Sequence, residues 1–456
     1  MNKKINTTLR NFFLVTAIMS ALTGCDREYE TIFNESPDER MHDALDAYND
    51  LLMDAPFGWT AALYTGSGAG YFYYFDFHED GRITMLSDFN ETAAGEPMES
   101  TWALKALQRP TLSFTTYSYI HLPADPDGDI SNGIPGSGLL SDFEFAIVRT
   151  SGDSVILQGV RHNSEIVFVR STEEEAQAYQ EKRIQHLLQR TDEYLAQHKG
   201  YRLTLPDETE VPMALSITQK MISFQFLDDD GETIRIPKTS FIFSIGGIIL
   251  KEPIKIKDYQ VTELRWDDTN EQYYVQFDEA VVLTGTDEPY IFNPSTPLHS
   301  VIGQELVTAV IPYGAGTNPL PGQSDEFTDI YNLAATQMYE GPYRLTLEEI
   351  KYVFVPNTDR MFMVVTISQP QGNGSVARFT GQYTYSYQVR DGGVVKFRLE
   401  GNDQNAGLLY ADLVGILNHF DNDTFKLDYI GGGFYLIAGF ASQEEPGYYF
   451  SGYLAE

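Results

Sequence analysis

A single cysteine, Cys25, is all that 456 residues contain. No disulfide can form within the chain, so the fold must be held by burial alone whatever its redox compartment. Basic residues are scarce as well: 31 Lys and Arg face 65 Asp and Glu, for a formal charge of −34 at pH 7. That balance repels phosphate backbones and anionic headgroups, which excludes nucleic acid and flat contact with acidic lipid as partners. The acidity reads first as a device for solubility rather than as a cation trap. There is no His-Glu-x-x-His, and the eight histidines show no ligand spacing, which disfavours a zinc hydrolase. No Gly-x-Ser-x-Gly elbow and no Gly-x-x-x-x-Gly-Lys loop occurs either. Gly66-Ser67-Gly68-Ala69-Gly70 lies between strand patterns with no helix after it and reads as a turn. What the chain does have is apolar material: 42% of residues are hydrophobic and 13% aromatic, ample for well-packed cores. Its length suggests two to three domains at about 100 to 200 residues each.

The first residues read as a secretory leader. Lys3, Lys4 and Arg10 precede an apolar run over residues 12–22, followed by small residues. That run is about half of the roughly 18 to 20 residues a spanning helix needs, so the leader is expected to be removed. Leu22-Thr23-Gly24-Cys25 resembles the lipobox of bacterial lipoproteins. The resemblance implies lipid attachment at Cys25 and anchorage to the outer membrane. One acyl chain holds a protein only marginally, whereas several make attachment stable, at about 0.8 kcal/mol per buried methylene. An acylated Cys25 leaves no free thiol, and thiol catalysis and thiolate metal sites go with it. Asp26-Arg27-Glu28-Tyr29-Glu30 resembles the surface-export signal of lipoproteins in the Bacteroidota. The alternative is a soluble secreted protein in which Cys25 is incidental.

Beyond the leader, Ser36-Pro37-Asp38-Glu39 carries a capping box and a first-turn proline, and Met41, Leu45, Tyr48 and Leu52 follow at helical spacing. A helix of about 17 residues is predicted from there to near Pro56. From Phe57 the period becomes two. Strand patterns recur over 59–64, 71–77, 83–85, 101–104, 111–120, 143–148, 154–158 and 165–169, with a hairpin signal at Asp80-Gly81. The rhythm is similar to that of lipocalin-like bacterial lipoproteins. Residues 172–198 are predicted as one connecting helix stopped by Gly200. Further strand patterns cover 216–226, 240–249, 272–277, 351–355, 361–367, 383–389 and 394–399. The pentapeptide Tyr201-Arg202-Leu203-Thr204-Leu205 recurs as Tyr343-Arg344-Leu345-Thr346-Leu347, each copy preceded by a helix pattern, which suggests either a duplication or a coincidence of strand formers. The predicted class is mainly β with a few helices, as antiparallel meander or barrel-like modules joined by helices. Its parts are a signal (1–24), a tether (25–35), a helix-plus-meander domain (36–171), the connecting helix (172–199) and two further β-rich units (200–323 and 324–456).

The path from Ser36-Pro37-Asp38-Glu39-Arg40 through Phe57-Gly58-Trp59, the aromatic strand 70–77, Leu112-Ser113-Phe114 and Ser141-Asp142-Phe143-Glu144-Phe145 resembles a domain-of-unknown-function (4302-type) lipoprotein family of the Bacteroidota. The resemblance implies a genomic setting beside SusC- and SusD-type uptake systems and zinc-hydrolase lipoproteins. It brings no catalytic residues with it.

Candidate chemistry is thin. Asp125-Pro126-Asp127-Gly128-Asp129 has the alternating carboxylates of a calcium loop, but Ile130 and Gly136 stand where an EF-hand needs Gly and Glu. An irregular calcium site at Asp125, Asp127 and Asp129 and an ordinary turn remain the two readings. Asp142 and Glu144 would share a strand face, and His78-Glu79-Asp80 crowds a hairpin; the plain readings are a solvated edge and a turn. On strand 71–78, alternation puts Phe72 and Tyr74 opposite Tyr71, Tyr73, Phe75 and Phe77. That second face is expected to be covered by helix 37–53 or to stack on sugars. No cofactor is implied. The leading expectation is a non-enzymatic outer-membrane lipoprotein that serves a SusC/SusD-type uptake system. The alternatives are a carboxylate-dependent glycan hydrolase and a structural or adhesive surface protein.

Overall fold

A computed structural model describes residues 36–314, 319–372 and 374–455. Cys25, the leader and the tether lie outside these described residues. The helix Pro37–Met53 opens with the predicted capping box: Glu39 N donates to Ser36 Oγ (3.2 Å), and Ser36 N donates to Glu39 Oε2 (2.8 Å). At its other end Leu52 is buried, and its carbonyl accepts from Trp59 Nε1 at 2.9 Å, which ties the helix to the first strand.

Eight antiparallel strands, from Trp59–Tyr64 to Glu165–Arg170, form a closed barrel in which the first pairs with the last, Trp59 opposite Arg170 and Tyr64 opposite Glu165. Alternation works as the sequence implies. Trp59, Tyr73, Phe75, Phe114 and Phe145 fill the interior, with Tyr73 and Phe75 stacked at 5.4 Å. The outward Phe72 and Tyr74 are indeed covered, but not by helix Pro37–Met53. Their rings meet Tyr179 at 5.0 and 5.1 Å. The second barrel seats beside them, so closely that a Cβ on Gly70 would lie 2.5 Å from the carbonyl oxygen of Phe241.

The connecting helix is two helices, Glu173–Gln180 and Arg183–Leu195, separated at Lys182, which adopts a left-handed φ of 63°. The bend lets Tyr179 stay on the first barrel while Ile184, Leu187, Leu188 and Tyr194 join the core of the second. That second closed barrel runs from Gly200–Thr204 to Ala280–Thr286, its last strand returning to the first with Leu283 opposite Leu203.

The C-terminal sheet has nine strands, and the pairing of Thr424–Gly431 with Ile437–Ser442 brings it round on itself. Tyr290–Phe292 and Thr308–Pro312 belong to this sheet rather than to the unit predicted over 200–323. Pairing across long sequence separations, invisible in a local pattern, decides this. The helices Asp325–Glu340 and Gln404–Asn422 complete the unit, and Phe420 on the second meets rings from five strands: Tyr352, Tyr385, Phe397, Phe425 and Phe450. The two copies of the repeated pentapeptide take different local structures. Tyr201 is buried in the strand Gly200–Thr204, whereas Tyr343 is exposed ahead of a strand that begins only at Thr346, with Arg344 at positive φ.

Where the two barrels meet, a charge pair is sealed from solvent. Lys220 Nζ lies 3.1 Å from Asp88 Oδ2, and both side chains are at most 2% exposed. Asp88 also accepts from Phe72 N (2.8 Å) of its own barrel and from Phe243 N (2.9 Å) of the other.

Candidate functional site

The segment Gly431-Gly432-Gly433-Phe434-Tyr435 leaves the C-terminal sheet and lies against the second barrel. It can do so only because its first residues lack side chains: a Cβ on Gly431 would sit 2.6 Å from Pro212 Cγ, and Gly432 has φ +97°. Buried Gln225 clamps it, accepting from Gly432 N at 2.6 Å and donating Nε2 to the Tyr435 carbonyl at 3.1 Å. Buried Ser223 donates its hydroxyl to the carbonyl of Gly433 at 2.9 Å. The clamp fixes the backbone and leaves the Tyr435 ring free, 57% exposed.

Tyr435 stands at a cleft of about 650 Å³ between the second barrel and the C-terminal unit. Tyr453 meets it edge-on at 5.4 Å, and Lys238 Nζ lies 4.3 Å from its ring centre, a cation–π contact worth about 0.5–1 kcal/mol at an exposed site. The lining contains His198, Lys199 and Lys238 and no carboxylate, but carboxylates stand just behind it: Asp325 pairs with Lys199 at 2.7 Å and Asp287 with His198 at 3.3 Å. A smaller hollow of about 70 Å³ adjoins it, where Arg202 lies 5.2 Å over the ring of Tyr290. The Asp287 carboxylate there is held below its usual range by the Lys199 N–H and by His198. Flat phenol faces beside an ammonium suit stacking on a ring that carries polar or anionic groups. The cleft lining offers no pair of carboxyl groups for glycoside hydrolysis.

The candidates taken from sequence do not converge. Asp125 accepts from Asp127 N (2.9 Å) and from the Tyr117 hydroxyl (2.5 Å), and Asp127 accepts from Asp129 N (3.0 Å), so two of the three carboxylates shape their own loop. Asp142 is no solvated edge. It precedes the strand Glu144–Ser151, is buried, and accepts from Arg161 N (2.7 Å), His162 N (3.1 Å) and Ser164 Oγ (2.6 Å), clasping a loop. Glu144 pairs instead with Lys105 at 2.6 Å, which holds its carboxyl below the ordinary range. At the hairpin, Asp80 pairs with Arg82 at 2.6 Å, and His78 bonds Thr84 at 3.0 Å. Sequence reading missed the cleft, although the glycine triplet followed by Phe434-Tyr435 was its signal. It also missed Glu326, His419 and Glu445, which among the described residues bring one ligand atom each within 4.8 Å of one another.

No helix among the described residues is long and apolar enough to cross a membrane. A family model described as "Domain of unknown function (DUF4302)" matches residues 29–268, more than half of the chain, and its end falls inside the second barrel. No curated protein matches. A solved structure similar over 91% of this chain and 97% of its own is a DnaN sliding clamp (DNA polymerase III subunit beta) from Pseudomonas aeruginosa bound to griselimycin, at 12% identity and a TM-score of 0.15, a value that carries no argument about fold or function.

Proposed function

The chain belongs to the DUF4302 family, and from that premise we propose that it is a lipid-anchored outer-membrane protein that binds its ligand without transforming it, as an accessory to a SusC/SusD-type nutrient-uptake system. The observation that carries the binding role is the Tyr435–Tyr453–Lys238 platform in a cleft free of carboxylates. The lipobox-like Leu22-Thr23-Gly24-Cys25 supports the anchor. A ligand with sugar-like rings bearing carboxylate or sulfate groups fits that chemistry best: the rings stack on phenol faces, and the anionic groups find the Lys238 ammonium, while Lys199 is already paired with Asp325.

The test is a glycan array followed by titration calorimetry on the protein and on Tyr435→Ala and Lys238→Ala. Binding of acidic oligosaccharides, weakened at least tenfold in both variants, is the expected result. Binding that is indifferent to both substitutions would remove the cleft from the account. Intact-mass analysis of membrane-extracted protein should find Cys25 acylated and the leader gone, and an unmodified thiol would overturn the anchor.

A further inference from the structure

Away from the cleft, we propose that Glu326, His419 and Glu445 form a site for one divalent transition-metal ion of the zinc or manganese class, which staples three elements of the C-terminal unit. Glu326 lies in the first turn of helix Asp325–Glu340, His419 in the last turn of helix Gln404–Asn422, and Glu445 in the turn between strands Ile437–Ser442 and Tyr449–Ala455. Their ligand atoms already lie within 4.8 Å of one another. A modest inward rotation of the two exposed glutamates closes them to the roughly 2.0–2.2 Å that metal–nitrogen and metal–oxygen bonds require.

The surroundings are those of a prepared ligand set. Asp423 Oδ2 lies 2.8 Å from His419 Nδ1, and Ser442 Oγ donates to that same Asp423 oxygen at 2.9 Å, so the imidazole is oriented by a carboxylate that is itself held, as around metal-ligating histidines. Glu445 is placed by its own N–H, which donates to Ser442 Oγ at 2.9 Å, and its Oε2 is 3.9 Å from His419 Nδ1, the nitrogen that Asp423 holds, which leaves Nε2 for a metal. The His419 ring lies flat on Tyr448 at 3.5 Å and cannot swing away. The nearby Lys396 ammonium bonds the main-chain carbonyls of Asp421 and Asp423.

A second, independent observation stands beside the cluster. Tyr448 is fully buried, and its hydroxyl has no hydrogen-bond partner among the described residues. Its ring lies parallel to the His419 imidazole with centres 3.5 Å apart, which sets the orphan hydroxyl beside the cluster. A buried hydroxyl left without a partner is unfavourable. A hydrated ion among these carboxylates would give that hydroxyl a partner, a coordinated water donating to the phenol oxygen, and would balance the carboxylate charge. One imidazole with carboxylates favours zinc or manganese over calcium, whose sites are built from oxygen alone.

The experiment uses untagged mature protein, stripped with chelator and dialysed against zinc, manganese or calcium chloride, with metal counted by mass spectrometry and affinity measured by calorimetry. One zinc or manganese per chain is expected, with a melting temperature that rises on loading. Glu326→Gln and Glu445→Gln, both at exposed positions and so expected to leave the fold intact, should each weaken binding at least tenfold, while Tyr435→Ala in the cleft should bind metal as the parent does. Retention of full metal affinity by both glutamine variants, binding of calcium alone, or no stoichiometric metal would each overturn the proposal.

Discussion

Removing the charge of Lys220 should loosen the joint between the two barrels more than any surface substitution can. The ammonium sits beside Asp88 Oδ2 (3.1 Å) and donates to the Asp88 carbonyl (2.9 Å), with the ring of Phe243 4.6 Å away and that of Tyr71 5.6 Å away. Burial pushes Asp88 up and Lys220 down, and their mutual attraction opposes both shifts, helped for Asp88 by the N–H groups of Phe243 and Phe72. Breaking a buried pair by removing one partner costs about 3–5 kcal/mol. Lys220→Met keeps the apolar stem and leaves Asp88 with its two N–H donors, so about 3 kcal/mol is expected. Asp88→Asn strands an ammonium among rings, so about 5 kcal/mol is expected. The double variant should recover most of either loss, because its polar remnant is neutral and still bonded. Urea unfolding followed by fluorescence reads this well, since Trp59 and Trp102 report the first barrel and Trp266 the second. Single variants within about 1 kcal/mol of the parent, or a double variant as poor as the sum of the two, would refute the reasoning.

Three further outcomes follow from the same geometry. Asp142→Ala strands the N–H groups of Arg161, His162 and Ser164 and should cost about 3 kcal/mol, with faster amide exchange confined to residues 160–164 as the check. Burial pushes His121 down from 6.5, and Ser118 N–H, 3.1 Å from its Nδ1, needs that nitrogen unprotonated. The unfolded chain therefore takes up a proton first: this contribution is complete above about pH 6.5 and is lost as pH falls through the lower folded value. His121→Gln keeps the cap at that position and should flatten the dependence of the urea midpoint between about pH 5 and 7; an unchanged slope would assign it elsewhere. Ser36→Ala removes one arm of the capping box and should cost about 1 kcal/mol, seen as fraying of helix Pro37–Met53 in exchange experiments.

Local signals were legible and non-local ones were not. The capping box at Ser36 and Glu39 and the alternation along the first barrel each involve residues a few positions apart, and both stand in the structure as expected. The break at Lys182 escaped notice because nothing in a helical pattern marks a lysine that will turn left-handed. Helix Gln404–Asn422, capped by Asp403, was also passed over, and with it the strands that follow. Strands Tyr290–Phe292 and Thr308–Pro312 were placed in the wrong unit because their partners lie far along the chain. The same reason hid both sites. Lys238 and Tyr435 come from different units, and Glu326, His419 and Glu445 come from three elements that only the closed sheet brings together.

The family match ends at residue 268, while the tyrosines that face Lys238 come from residues 435 and 453. The matched region therefore contains Lys238, and the unmatched region contains both tyrosines of the cleft. Because the ammonium stands on the second barrel and the phenols on the C-terminal unit, a shift between those two units would part the platform while the sealed joint between the barrels stayed closed.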